Sequence, residues 1–234
     1  MARIYLKKAE KTAATSADTT QNIVRNMLSE IEAGGDARAQ AYAAELDKYT
    51  GPALLDDEGI AEASAKVSQK LKDDIHFAHD NIRRFAEAQK GTMKDMEYEI
   101  TPGLIAGQRM IPVRAAGCYV PGGRYSHVAS AMMTVTTAKV AGVHNITACS
   151  PPQGDAGMNP AIVYAAKLCG ADQILTLGGV QGVAAMAFGL FGLPSSDIIV
   201  GPGNQFVAEA KRQLFGRVGI DMIAGPTDSL ILAD

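Results

Sequence analysis

The residues with the clearest chemical promise stand together late in the chain. Ile198-Ile199-Val200 is an apolar run that enters Gly201-Pro202-Gly203-Asn204, and a helical pattern opens directly behind it. A strand, a tight loop and a helix N-terminus present free backbone N–H groups at the positive end of a helix dipole, which together make an anion site. Gly203 lets a ligand come close to the backbone, and Asn204 places an amide at the helix mouth, where it caps the helix or meets a ligand. The same four residues also serve as an ordinary turn, and the motif alone does not separate the two uses. Three more loops follow apolar runs: Pro121-Gly122-Gly123, Ser150-Pro151-Pro152-Gln153-Gly154 and Gly178-Gly179-Val180-Gln181. The GxGxxG dinucleotide fingerprint is absent, and no acidic residue is placed to end a neighbouring strand as a ribose ligand.

The elements that must carry these loops alternate from Ala115 onward. Strands are expected at Gly117–Val120, Asn145–Cys149, Gln173–Leu177, Asp197–Val200 and Val218–Met222. Helices lie between them at Ser126–Ala141, Pro160–Cys169, Val180–Leu190 and Gln205–Phe215. Strand–helix repeats this short call for an open parallel α/β sheet with helices on its faces, whose carboxyl-end loops share one edge. Before Ala115 the pattern is helical. Residues 1–16 read as an arm or edge strand. Asp18 caps a helix carrying Ile23, Met27, Leu28 and Ile31 that Gly34-Gly35 stops, and Asp36 restarts one through Tyr49. Asp56-Asp57 caps a third near Ile60–Val67. A long helix, Gln69–Gln89, puts Leu71, Ile75, Ala78, Ile82 and Phe85 on one stripe. Tyr98 to Val113 reads as an antiparallel hairpin turning at Pro102-Gly103.

With 47% hydrophobic and 20% charged residues in 234, the chain has the composition of a globular protein with enough length for one large domain or two small ones. A net charge of -3 gives no general reason to bind nucleic acid or an anionic membrane. No apolar run approaches the roughly 18 residues of a membrane span, and Met-Ala-Arg-Ile-Tyr-Leu-Lys-Lys lacks the apolar core of a signal peptide. Cys118, Cys149 and Cys169 form neither a disulfide framework nor a zinc knuckle, so a cytoplasmic setting is expected. His76 and His79, three apart beside Asp73 and Asp80, lack further ligands and fit a charged helix face better than a metal site.

The ordered set of segments resembles the histidinol dehydrogenase family. It comprises Gly117-Cys118-Tyr119-Val120-Pro121-Gly122-Gly123, Ala138-Lys139-Val140-Ala141-Gly142-Val143, Cys149-Ser150-Pro151-Pro152 and Gly178-Gly179-Val180-Gln181. It continues with Gly201-Pro202-Gly203-Asn204, Ala210-Lys211-Arg212 and Val218-Gly219-Ile220-Asp221-Met222-Ile223-Ala224-Gly225-Pro226-Thr227. The resemblance implies a Rossmann-like fold and a zinc-dependent enzyme that uses NAD to take a primary alcohol through an aldehyde to a carboxylate. It places NAD contacts on Tyr119, Gln181 and Asn204, whose phenol and amides hydrogen-bond without adding charge. A substrate contact falls on Thr227, followed by Asp228 where the family has Glu. Arg124, in Arg124-Tyr125-Ser126-His127, departs from the histidinol enzymes and suits an anionic substrate group, as in the family branch that oxidises 2,3-dihydroxypropane-1-sulfonate to sulfolactate rather than L-histidinol to L-histidine.

The family's zinc ligands and its Glu-His acid–base pair fall beyond residue 234, so the resemblance places no catalytic residue and no metal ligand in this chain. The expected division is a helical region and hairpin at 1–114, a Rossmann-like NAD-side domain at 115–228, and a strand start at 229–234. The chain reads as a fragment or a truncated frame of a homodimeric enzyme. By itself it is expected to be inactive and zinc-free, with Leu230-Ile231-Leu232 left as an apolar edge. The competing reading is a non-catalytic nucleotide-binding or assembly module. NAD binding without turnover would favour that reading or simple truncation.

Overall fold

A computed structural model describes residues 17–122 and 126–223. The expected arm at 1–16, the substrate contacts Arg124 and Thr227 with Asp228, and the strand start at 229–234 lie outside the described residues.

Helix α1 (Ala17–Tyr42) begins the described chain, with Asp18 inside it rather than before it. Val24, Met27, Leu28 and Ile31 recur at i, i+3, i+4 and i+7 and are buried. At about 1.5–3 kcal/mol for each fully buried side chain, this stripe far outweighs the roughly 1 kcal/mol that a helical glycine costs. The helix nevertheless breaks its geometry where the sequence says it should, at Gly35 (φ 58°, ψ -144°). Its far end widens into one turn of π-helix, Ala43–Asp47, closed by Lys48 in the left-handed region. Helix α2 (Asp57–Ala65) is capped by Asp56, and α3 (Gln69–Gly91) by Ser68. On α3 the buried line runs through Ile75 and Ala86, with Ala78 and Ile82 partly buried, while Leu71 and Phe85 are exposed. The expected stripe is therefore corrected at both ends: Phe85 lies one helical step off the face that Ala86 seals.

Strands β1 (Met96–Thr101) and β2 (Leu104–Gln108) pair antiparallel across Pro102-Gly103. Met110 to Val113, expected to extend the hairpin, is not strand. Pro112 has no N–H to offer a ladder.

The remaining strands, β3 (Ala115–Tyr119), β4 (Asn145–Cys149), β5 (Gln173–Leu175), β6 (Ile198–Val200) and β7 (Gly219–Ile220), form one parallel sheet in the order β5-β4-β3-β6-β7. This is the expected open α/β fold, with several strands shorter than their apolar runs. Leu54 adds an antiparallel bridge to Leu175 on the β5 edge, with Leu55 N donating to Ile174 O at 3.0 Å. Helices α4 (Val128–Ala141) and α5 (Pro160–Cys169) cover one face of the sheet, with α3 packed on α4 and α2 on α5. Helices α6 (Gly179–Phe188) and α7 (Gln205–Leu214) cover the other face, with α1 across both. Two apolar clusters, one on each side, knit the N-terminal helices to the sheet layers. Among the described residues no helix is long and apolar enough to cross a membrane.

Candidate functional site

The chain builds β3, β4 and β5 outward in one direction, then returns to lay β6 against the other side of β3. Loops leaving the carboxyl ends of β3 and β6 part there, and in open α/β sheets that parting is where ligands sit. A cavity of about 700 Å³ occupies this place. Tyr119, Gln181 and Asn204 all line it, as do Pro121, Gly122, Gly179 and Gly203 from the same edge and Ile23, Met27, Leu46 and Asp47 from the N-terminal helices.

Each of the three expected contacts has a defined job. Tyr119 ends β3, and its Oη accepts a hydrogen bond from Gly179 N at 2.9 Å, tying β3 to the mouth of α6. Burial pushes its phenol above the usual range, so it stays protonated at neutral pH. Gln181 is only 1% exposed. Its Nε2 donates to Asp47 Oδ2 at 2.8 Å, and its Oε1 has no protein partner. Asn204 is the N-cap of α7, with Oδ1 accepting from Phe206 N at 3.0 Å and Val207 N at 3.1 Å. That leaves the amide NH₂ as the part of Asn204 that can donate to a ligand.

The Gly-Pro-Gly-Asn loop satisfies part of its own N–H groups. Gly201 N donates to Asp221 Oδ2 at 2.8 Å, and Asn204 takes two N–H groups of the first helical turn. Beneath the loop Lys211, 5% exposed, donates to Gly201 O at 2.9 Å and to Asp221 Oδ1. Burial alone would raise the Asp221 carboxyl, but Lys211 and the N–H groups of Gly201 and Met222 outweigh it and hold it below the ordinary range. Gly201 sits at φ 115° with a Cβ position 2.1 Å from Tyr119 O, so no side chain fits between β6 and β3 there. A Cβ on Gly203 would meet Val207 Cγ1 at 2.3 Å. Helix packing therefore already demands that glycine, whatever approaches from the cavity.

The residue that sequence reasoning missed is Asp47. It ends the π-helical turn, half-buried in the cavity wall, and holds both Gln181 and the Gly178 N–H at the N-terminus of α6. Burial pushes its carboxyl up, with those two hydrogen bonds pulling the other way. The cavity's described carboxylate thus comes from the π-helical turn of the N-terminal region. Ile23, Met27, Leu46, Val180 and Phe206 give the cavity apolar walls.

His127 lines the cavity at the N-terminus of α4, while His76 bonds Tyr164 Oη at 2.9 Å on an outer face. Among the described residues no three His, Cys, Asp or Glu side chains are grouped to hold a metal ion. Cys118, Cys149 and Cys169 are buried and free, with burial pushing the Cys118 thiol up to about 12. They pack as small apolar groups.

The histidinol dehydrogenase family model matches residues 10–234. The chain is 68% identical to the sulfopropanediol 3-dehydrogenase of Ruegeria pomeroyi over 98% of its own length and 53% of that protein. It is 55% identical to a histidinol dehydrogenase homolog of Pelagibacter ubique, over 100% of this chain and 55% of that one. The crystal structure of histidinol dehydrogenase from Elizabethkingia anophelis matches with a TM-score of 0.83 at 34% identity, over 95% of this chain and 50% of that one. The chain spans about half the length of these relatives.

Proposed function

Because the chain belongs to the histidinol dehydrogenase family, we propose that it is the NAD-binding part of a dehydrogenase acting on a primary alcohol. The observation that carries this reading is the convergence of Tyr119, Gln181 and Asn204 on one cavity at the switch point of the sheet. Those residues are far apart in sequence and come from the end of β3, the first turn of α6 and the N-cap of α7. NAD, when bound, supplies the hydride acceptor.

The chain's own residues bind and orient. Tyr119, kept protonated and fixed by Gly179, is a hydroxyl donor in the cavity wall. Asn204 keeps its NH₂ as a donor at the mouth of α7, and the apolar walls from Ile23, Met27, Leu46 and Phe206 suit a flat ring and exclude water. Zinc fits the described residues poorly, since they provide no set of three ligands.

The alcohol we propose is a sulfonated propanediol. The relative at 68% identity bears that name, and Arg124 offers a guanidinium to an anionic group, with Thr227 as the second substrate contact. A cytoplasmic homodimer is the corresponding setting for the whole enzyme. The test has two readouts on the 234-residue chain. Calorimetric titration with NAD should give saturable binding that Tyr119→Phe weakens. NAD reduction with the sulfonated diol, or with histidinol, and added zinc should be absent from this chain. No NAD binding would overturn the proposal. Steady turnover would show that the chain itself carries the catalytic groups that this reading places outside it.

A further inference from the structure

On the reading of the cavity as an NAD site, we propose that Asp47 is the residue that selects the coenzyme: its carboxylate receives a hydroxyl of the ribose and rejects a phosphorylated ribose. Four observations carry this. First, among the described residues that line the cavity Asp47 is the one carboxylate, and none is a Lys or Arg. An additional phosphate there meets a negative charge and no described positive one, whereas an uncharged diol meets an acceptor.

Second, the carboxylate is held from two sides, by Gln181 Nε2 at 2.8 Å and by the Gly178 N–H. A carboxylate fixed in this way is oriented before a ligand arrives, so little ordering is left to the binding step. Third, Asp47 occupies the N-terminal end of α6, and Tyr119 Oη takes the next N–H, that of Gly179. Two N–H groups at the end of α6 that would otherwise attract a phosphate are therefore taken by the protein itself, one of them by a carboxylate. Fourth, Asp47 is only half-buried and forms part of the cavity wall, so its carboxylate keeps room for a partner beyond Gln181. Two acceptor oxygens have capacity for about four hydrogen bonds, and the cavity supplies the space for a diol to use what remains.

A purely structural Asp47 would clamp the end of the N-terminal helix to α6 and nothing more. The coenzyme ratio separates the two roles, because a clamp affects both nucleotides alike. NAD and NADP are titrated into the unaltered chain, Asp47→Asn and Asp47→Ser, each pair on one preparation. Asparagine keeps one acceptor oxygen for Gln181, removes the charge and exchanges the second oxygen for a donor NH₂. The unaltered chain should bind NAD at least about tenfold more tightly than NADP, an effect between those of one charge contact in bulk water and near a protein surface. Asp47→Asn should close that gap to about threefold or less, chiefly by improving NADP. A sample that is partly unfolded lowers the stoichiometry for both nucleotides and leaves the ratio intact. Equal affinity of the unaltered chain for the two nucleotides overturns the inference without any variant. Preserved discrimination in both variants overturns it as well and leaves the NAD reading standing. Failure of the unaltered chain to bind NAD at all removes the site reading and this inference together.

Discussion

Lys211→Met tests whether the loop after β6 is held from below by an ion pair. The lysine ammonium satisfies Gly201 O at 2.9 Å and the Asp221 carboxylate, and methionine replaces its stem while supplying no donor. Two losses follow. A buried carbonyl left without its donor costs about 1–3 kcal/mol. Stranding a fully buried carboxylate adds about 3–5 kcal/mol. The second figure must be cut down, since the Asp221 side chain is 30% exposed and keeps N–H donors from Gly201 and Met222. A net loss of about 2–4 kcal/mol is expected, with Asp221 removal alone costing a similar amount. Urea denaturation of the chain, Lys211→Met, Asp221→Asn and the double variant reads this directly as a cycle. Coupling shows as a double variant well short of the sum of the singles. Additive losses, or a Lys211→Met chain within about 0.5 kcal/mol of the original, would refute the claim that this pair braces the loop.

Two further outcomes follow from the same region. Asn204→Ala should cost about 1 kcal/mol of stability through the lost cap, with NAD weakened as well; unchanged melting would contradict the two hydrogen bonds from Asn204 Oδ1. The Asp221 carboxyl is held below its ordinary value. Its contribution to stability is therefore complete above about pH 5 and is lost as pH falls through the lowered value. Thermal melts from neutral to acid pH should show Asp221→Asn losing less stability than the unaltered chain below about pH 4, and parallel curves would defeat the assignment.

The alternation after Ala115 was readable because fully buried parallel strands are short apolar runs that end in glycine-bearing loops. Asn145–Cys149 and Pro160–Cys169 match their elements to the residue. The convergence of Tyr119, Gln181 and Asn204 also followed from direction alone, since strands running the same way deliver their loops to one edge. Asp47 was not readable. In Glu45-Leu46-Asp47-Lys48 it looks like one more charge at the end of a surface helix, and its partner Gln181 lies 134 residues away. Nor does periodicity tell that Phe85 faces outward, because one helical step separates it from the residue that packs. The brace under the Gly-Pro-Gly-Asn loop depended on Lys211 and Asp221, whose meeting is a property of the folded chain.

The π-helical turn at Ala43–Asp47 makes chain length itself a coordinate of the cavity. A π turn holds one residue more than the α turn it replaces, and that extra residue fixes which side chain stands opposite Gln181. Deleting a single residue between Ala43 and Leu46 would let the segment relax to an α-helix. Every later position would then rotate by about 100°, carrying the carboxylate away from Gln181 and bringing a neighbour in. The β1–β2 hairpin, exposed along its whole length, has no comparable indexing role in the cavity. Insertions and deletions are thus tolerated very unevenly along this chain, and the intolerant stretch is a five-residue turn that no glycine or proline marks.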